Sequence, residues 1–264
     1  MEKMRKSRVL SKLREGRPVL NFKINLADAR VCELAAMMGF DCLWLDMEHI
    51  ANSWSTIEEQ VRASKVHDVD AMVRVARGSY SDYIRPLELD AAGIMVPHIL
   101  SLADARNVVR MTRFHPVGRR PVDGGNADGG YATIDFADYL RQANENRFVV
   151  LQIEDPEPLD DLEAIAALEG YDVLFFGPGD FSHGIGAPGD FRHPRLVDAR
   201  KRVADAALRH GKFAGTTTPL DRVEEMFGLG YRFLSVGADV LGLSQYCRSI
   251  IDKWEELAPR GTKR

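Results

Sequence analysis

Cysteine is scarce in this chain: three among 264 residues, at Cys32, Cys42 and Cys247, scattered and forming no CxxC pair. That excludes a disulfide framework and a cysteine-built zinc site, and it fits a reducing compartment. An excess of positive charge is also missing. With a formal net charge of −4, nothing in the overall balance draws the chain to nucleic acid or to an anionic membrane. The apolar runs reach only strand length, which leaves no candidate membrane span. The start, Met1-Glu-Lys-Met-Arg-Lys-Ser-Arg-Val-Leu10, has basic residues but no long apolar region behind them, so no secretory signal is expected. No glycine-rich nucleotide fingerprint follows the first apolar run. These absences together predict a cytoplasmic protein.

Hydrophobic residues at 45% and charged residues at 28% suit a globular chain able to bury a full core. Short apolar runs alternate along it with amphipathic stretches. Strands are predicted at 19–24, 42–46, 71–75, 94–97, 148–153, 173–177, 212–215 and 232–236. Helices are predicted at about 27–38, 56–67, 83–89, 102–114, 159–168, 196–210 and 240–257, with Ser55 or Thr56 as the cap of the second. A short stripe of Val9, Leu10 and Leu13, stopped by Gly16-Arg-Pro18, reads as a helix capping a barrel mouth. Strands alternating with helices imply right-handed βαβ units and a parallel sheet. About eight units close a (β/α)₈ TIM barrel, a single domain over 1–264, in preference to an open doubly wound sheet. The last helix carries Leu241, Leu243, Tyr246, Ile250, Ile251 and Trp254. It is expected to pack outside the barrel or against a partner subunit.

Closure would gather the polar residues at the C-terminal strand ends into one mouth. They are Asp46, Glu48 and His49 after the second strand, Arg74 in the third, Gln152 and Glu154 on the fifth, and Asp180 after the sixth. Period-2 alternation turns Gln152 and Glu154 to one side, and Gly177-Pro-Gly179 stops the sixth strand so that Asp180 lies on the loop beyond. Two hard oxygen ligands at neighbouring strand ends suit Mg²⁺ or Mn²⁺. Arg74, within a run of Val and Ala, needs an anionic partner. His98, His115 and His183 read as ordinary loop histidines, and no lysine is expected at a comparable strand end.

Asp46-Met-Glu-His49, Val73-Arg-Val75, Gly93-Ile-Met-Val-Pro97, Leu151-Gln-Ile-Glu154 and Phe176-Gly-Pro-Gly-Asp-Phe-Ser182 stand in the order and spacing of the HpcH/HpaI aldolases. The chain resembles that family from about Val19 to Val236. The resemblance implies a class II pyruvate aldolase acting on 2-keto-3-deoxy or 4-hydroxy-2-oxo acids. It implies Glu154 and Asp180 as ligands of Mg²⁺, Mn²⁺ or Co²⁺, with Gln152 and Gly179 beside the substrate. It also implies Arg74 on the keto oxygen of pyruvate, and His49 paired with Asp46 as general base. It further implies a homo-hexamer, a trimer of dimers, in which an acidic residue enters the neighbour's site; Glu88 stands where the family usually has Asp. The loop 118–130 departs from the family. It carries Asp123, Asn126 and Asp128, the last near a common arginine position, which favours a hydroxyl-rich aldehyde over a second carboxylate. Asp155 replaces a small residue beside the metal. The alternatives are an acyl-CoA ester lyase or oxaloacetate decarboxylase using the same enolate, with Arg119 and Arg120 available to CoA phosphates, or a binding module without turnover.

Overall fold

In the computed structural model, which describes residues 3–258, strands β1 (Val19–Ile24), β2 (Cys42–Asp46), β3 (Asp70–Arg74), β4 (Gly93–Val96), β5 (Phe148–Ile153), β6 (Val173–Phe176), β7 (Phe213–Thr217) and β8 (Tyr231–Ala238) close in sequence order. Every neighbouring pair is parallel, β8 returning to β1. This is the (β/α)₈ barrel that the alternation predicts. Residues 1–2 and 259–264, the two ends of the predicted 1–264 span, lie outside the described residues.

Helices α1 (Arg8–Arg14), α2 (Ala29–Met37), α3 (Trp54–Lys65), α4 (Tyr80–Glu88), α5 (Leu102–Thr112), α6 (Phe136–Asn146), α7 (Leu162–Ala167), α8 (Pro178–Gly184), α9 (Pro194–Arg209), α10 (Val223–Gly228) and α11 (Asp239–Leu257) complete the chain. Helix α3 starts two residues before the predicted 56 because Ser53, not Ser55 or Thr56, is its cap, Ser53 Oγ accepting from Thr56 N (3.1 Å). Helices α6, α8 and α10 were not expected. Asp180 consequently lies in the first turn of α8 rather than in a loop.

Strand alternation sorts the core into two layers. Val19, Cys42, Trp44, Met72, Met95, Phe148, Val150, Val173, Phe175 and Phe233 fill the barrel's interior. Leu43, Leu45, Val73, Ile94, Leu151, Ile153, Leu174 and Phe176 face outward onto the helices. Val9, Leu10 and Leu13 of α1 join the interior layer. Asp70, the first residue of β3, accepts from Ser7 Oγ (2.6 Å) and Val9 N (2.9 Å) and anchors that helix. Helix α1 therefore plugs the end where the strands begin. The expected mouth cap lies at the opposite end from Asp46, Arg74 and Glu154.

The loop 118–130 also differs from expectation. Asp128 is 1% exposed and accepts from Arg147 Nε (2.7 Å) and Tyr139 Oη (3.0 Å), with Arg120 Nη2 at 2.9 Å. Burial alone would push its carboxyl up, but Arg147 and Arg120 hold it below the ordinary range. Asp128 thus fastens the loop to the barrel and is closed to a substrate hydroxyl. Asp128→Ala leaves two guanidinium groups buried without their shared anion and is expected to destabilise by ~3–5 kcal/mol. Urea denaturation checks this, and an unchanged midpoint would contradict it.

Of the residues in α11 only Asp239 is buried, its carboxylate holding the amides of Asn25 (2.9 Å) and Leu26 (2.8 Å). Leu241, Tyr246, Ile250, Ile251, Trp254 and Leu257 are exposed, so the apolar face does not pack on this chain's own barrel. No helix among the described residues is long and apolar enough to cross a membrane.

Candidate active site

Alternation along β1, β2 and β3 puts Lys23, Asp46 and Arg74 on the inner face at the C-terminal ends, Asp46 directly opposite Arg74. Asp46 is 0% exposed and Arg74 4%. Arg74 donates to both carboxylate oxygens of Asp46, through Nε (3.1 Å) and Nη2 (2.5 Å). Its guanidinium lies 4.7 Å from the centroid of the Trp44 ring, which with Phe175 forms an aromatic floor. Arg74 Nε also stands 3.0 Å from Glu48 Oε2, a charge contact without hydrogen-bond geometry that leaves this oxygen without a donor. The buried partner that Arg74 needs is therefore Asp46, with Glu48 behind.

Lys23 Nζ lies 3.0 Å from Asp46 Oδ2 and 5.3 Å from the Trp44 centroid. A lysine does stand at a strand end, contrary to expectation. Burial alone would raise the Asp46 carboxyl, but Arg74 and then Lys23 bring it down to about 2. That pairing favours the charged form of Asp46.

At the end of β5, Gln152 and, one residue past the strand, Glu154 are 3% and 1% exposed. Gln152 Nε2 donates to Glu154 Oε2, and the backbone amide of His98 donates to Glu154 Oε1 (2.9 Å). Gln152 Oε1 has no partner. Gly177 is needed at the end of β6 because a Cβ there would fall 2.6 Å from Glu154 Oε2 and 2.9 Å from Gln152 Nε2. Burial, and then the neighbouring charges of Asp180 and Glu48, raise the Glu154 carboxyl to about 8 despite the His98 amide and ring.

His98 follows β4 with φ of +49°, a conformation that L side chains adopt at some cost. Its Nδ1 lies 2.8 Å from Asp155 Oδ2, and its Nε2 lies 3.7 Å from Glu48 Oε1 and 3.8 Å from Glu154 Oε1. Partial burial would lower the ring's pKa, but Asp155, Glu154 and Glu48 raise it overall. Sequence reading passed over this histidine. The available signal was its place directly after a strand-end proline, as Asp155 directly follows Glu154.

The mouth thus brings together Asp46, Glu48, Arg74, Gln152 and Glu154, with Asp180 near enough to act on Glu154 electrostatically. Asp180 is exposed, as is Gly179, where a Cβ would meet nothing within 4 Å. The His49 side chain is 56% exposed, and its Nε2 lies 3.5 Å from Glu48 Oε2. Asp46 reaches His49 only through the backbone amide (3.4 Å), so the carboxylate beside the imidazole is that of Glu48. Glu88, the last residue of α4, sits at the end where the strands begin, near Arg120, Asp123 and Asp128.

A divalent cation fits this donor set. A buried carboxylate drawn to a proton, a neighbouring carboxylate that acts on it and an orphaned amide oxygen make a set of hard oxygen donors. Among the described residues, Glu48, His98 and Glu154 also offer ligand atoms within 4.8 Å of one another.

The family model for HpcH/HpaI aldolase/citrate lyase matches residues 22–245. A hydroxypyruvate/pyruvate aldolase of Pseudomonas aeruginosa is 32% identical over 254 residues, covering 96% of this chain and 94% of its own. A 5-keto-4-deoxy-D-glucarate aldolase of Klebsiella pneumoniae is 32% identical over 216 residues, covering 81% and 84%. The crystal structure of an HpcH/HpaI aldolase from Desulfitobacterium hafniense superposes with a TM-score of 0.90 at 27% identity, covering 96% of this chain and 99% of that one.

Proposed function

The chain belongs to the HpcH/HpaI aldolase/citrate lyase family, and from that premise we propose that it is a divalent-metal-dependent class II aldolase. The substrate is a 2-keto-3-deoxy sugar acid or a related 4-hydroxy-2-oxo acid, cleaved reversibly to pyruvate and an aldehyde. Family membership and relatives named as aldolases make it a carbon–carbon lyase; the metal, the substrate and the roles of individual residues are our reading. The observation that carries it is one buried guanidinium, Arg74, sharing a strand-end mouth with the Glu154 carboxylate.

Retro-aldol cleavage breaks the C3–C4 bond, leaves its electron pair on the pyruvate fragment as an enolate, and removes the C4 hydroxyl proton. Glu154 and Asp180 would hold Mg²⁺, Mn²⁺ or Co²⁺, which supplies Lewis-acid stabilisation of the developing oxyanion. Arg74, locked by Asp46 and stacked on Trp44, presents a fixed positive charge to the same oxygen without reorganising. His49, open to solvent and beside Glu48, takes the C4 proton. Lys23 is ion-paired with Asp46, and a paired ammonium is not the free amine that an imine mechanism requires.

Of the two arginines that the acyl-CoA alternative invokes, Arg120 is 4% exposed and held by Asp128, while Arg119 is exposed. The exposed apolar face of α11 supports a homo-oligomer, here read as a hexamer, with Glu88 reaching a neighbouring mouth. The cytoplasmic reading rests on the scarcity of cysteine.

Pyruvate release from a panel of 4-hydroxy-2-oxo acids tests the proposal. EDTA is expected to lower the rate at least ~100-fold, and Mn²⁺, Mg²⁺ or Co²⁺ to restore it, since Lewis-acid assistance supplies several kcal/mol. Full activity after exhaustive chelation would refute the metal-dependent mechanism.

A further inference from the structure

We propose that His98, backed by Asp155, supplies a nitrogen ligand to the catalytic cation and thereby biases the site toward Co²⁺, Ni²⁺ or Zn²⁺ over Mg²⁺. The inference rests on the metal reading above and adds to it a donor that the two-carboxylate site does not include.

Four observations carry it. First, Asp155 Oδ2 lies 2.8 Å from Nδ1, placed to accept a hydrogen bond from the ring. Nδ1 therefore carries the proton and Nε2 presents its lone pair. Second, that lone-pair atom stands 3.7 Å from Glu48 Oε1 and 3.8 Å from Glu154 Oε1. Ligands at ~2.0–2.2 Å from a common ion are separated by about 3 to 4 Å, so Nε2 stands at ligand spacing from each oxygen, and the three groups offer ligand atoms within 4.8 Å of one another. Third, the His98 backbone is held at φ +49°, its amide bonded to Glu154 and the next amide, Ile99 N, bonded to Gln152 O (3.2 Å). A strained residue tied at two points to the metal-bearing strand is a ring kept in place. Fourth, Gln152, only 3% exposed, leaves Oε1 without a partner beside Glu154. This orphaned buried oxygen is independent of the histidine and also calls for a cation or a polar ligand.

The chain Asp155–His98–cation is the carboxylate–histidine–metal arrangement, in which the outer carboxylate fixes the tautomer and strengthens the nitrogen donor. Imidazole favours borderline ions such as Co²⁺, Ni²⁺ and Zn²⁺, whereas Mg²⁺ prefers oxygen. This predicts selectivity that the pair Glu154 and Asp180 would not produce by itself.

The test is electron spin-echo envelope modulation of the full-length protein loaded with Mn²⁺, alongside calorimetric affinities for Co²⁺ and Mg²⁺. The wild type is expected to show imidazole nitrogen coupling, and His98→Gln to lose it. Co²⁺ affinity is expected to fall ~10- to 100-fold in His98→Gln and about 10-fold in Asp155→Asn, with Mg²⁺ affinity changed less than about 3-fold. Circular dichroism confirms that each variant is folded. If His98→Gln does not fold, the nitrogen signal of the wild type and its response to Asp155→Asn decide. Mn²⁺ bound without nitrogen coupling would overturn this inference and leave the two-carboxylate reading standing. No Mn²⁺ binding at all would overturn both.

Discussion

Arg74→Ala is expected to lower kcat/KM for aldol cleavage by about 10³-fold. The magnitude follows from what one preorganised oxyanion donor supplies in a dry site, ~3–4 kcal/mol. Two bidentate bonds to Asp46 and the Trp44 ring beneath hold the guanidinium before any substrate arrives. The loss should therefore fall on kcat rather than on KM alone, because the contact strengthens as charge builds on the keto oxygen. Arg74→Lys should recover little, since an ammonium cannot reproduce the fork on Asp46. Stability will also suffer, because Asp46 keeps only Lys23 as a cation. Steady-state kinetics on material shown to be folded separates the two effects. A folded Arg74→Ala enzyme with wild-type kcat would remove Arg74 from the chemistry.

Glu154→Gln is expected to abolish detectable turnover while making the metal-free protein less sensitive to alkaline pH. The first part follows if Glu154 is the buried ligand proposed above. The second comes from linkage. In the folded protein the Glu154 carboxyl is raised from 4.5 to about 8. Between those values the folded state binds a proton that the unfolded chain has released, so stability falls as pH rises through that window. A glutamine carries no charge to desolvate there. Gln152 accommodates it by turning its amide, since the free Oε1 can then accept from the new side chain. Melting temperatures in EDTA from pH 5 to 8.5 should decline for the wild type and stay flatter for Glu154→Gln. Parallel declines would mean that Glu154 titrates normally.

The barrel was legible because its strands are short apolar runs whose neighbours in sequence are also neighbours in space. Strands β2 and β5 begin and end where the sequence pattern places them. Helix α6 escaped notice because its buried face is made of Tyr139, Gln142 and Ala143 rather than an aliphatic stripe. Arg74, Gln152 and Glu154 could be placed from alternation alone. So could Lys23, two residues beyond Asn21 and four beyond Val19 on the inward face of β1; the signal was present and went unused. The partners were harder. The bond from His98 to Asp155 spans 57 residues, and buried Asp128 meets Arg147, just past α6, together with Arg120 and Tyr139. Such pairings depend on closure of the barrel, which no local pattern encodes. The imidazole contact of His49 with Glu48 rather than with the Asp46 side chain was hard for another reason: three polar residues within four positions leave the sequence silent on which two meet.

The central claim is that a cation held at Glu154 and Asp180, facing Arg74, stabilises the enolate of pyruvate. Exchange of the pyruvate methyl protons in D₂O, followed by proton NMR without any aldehyde, isolates that step from substrate identity. The account predicts rapid exchange with Mg²⁺ or Co²⁺, loss of exchange on chelation, and no exchange with Arg74→Ala. Exchange that persists at full rate in EDTA, or that Arg74→Ala leaves untouched, would contradict it.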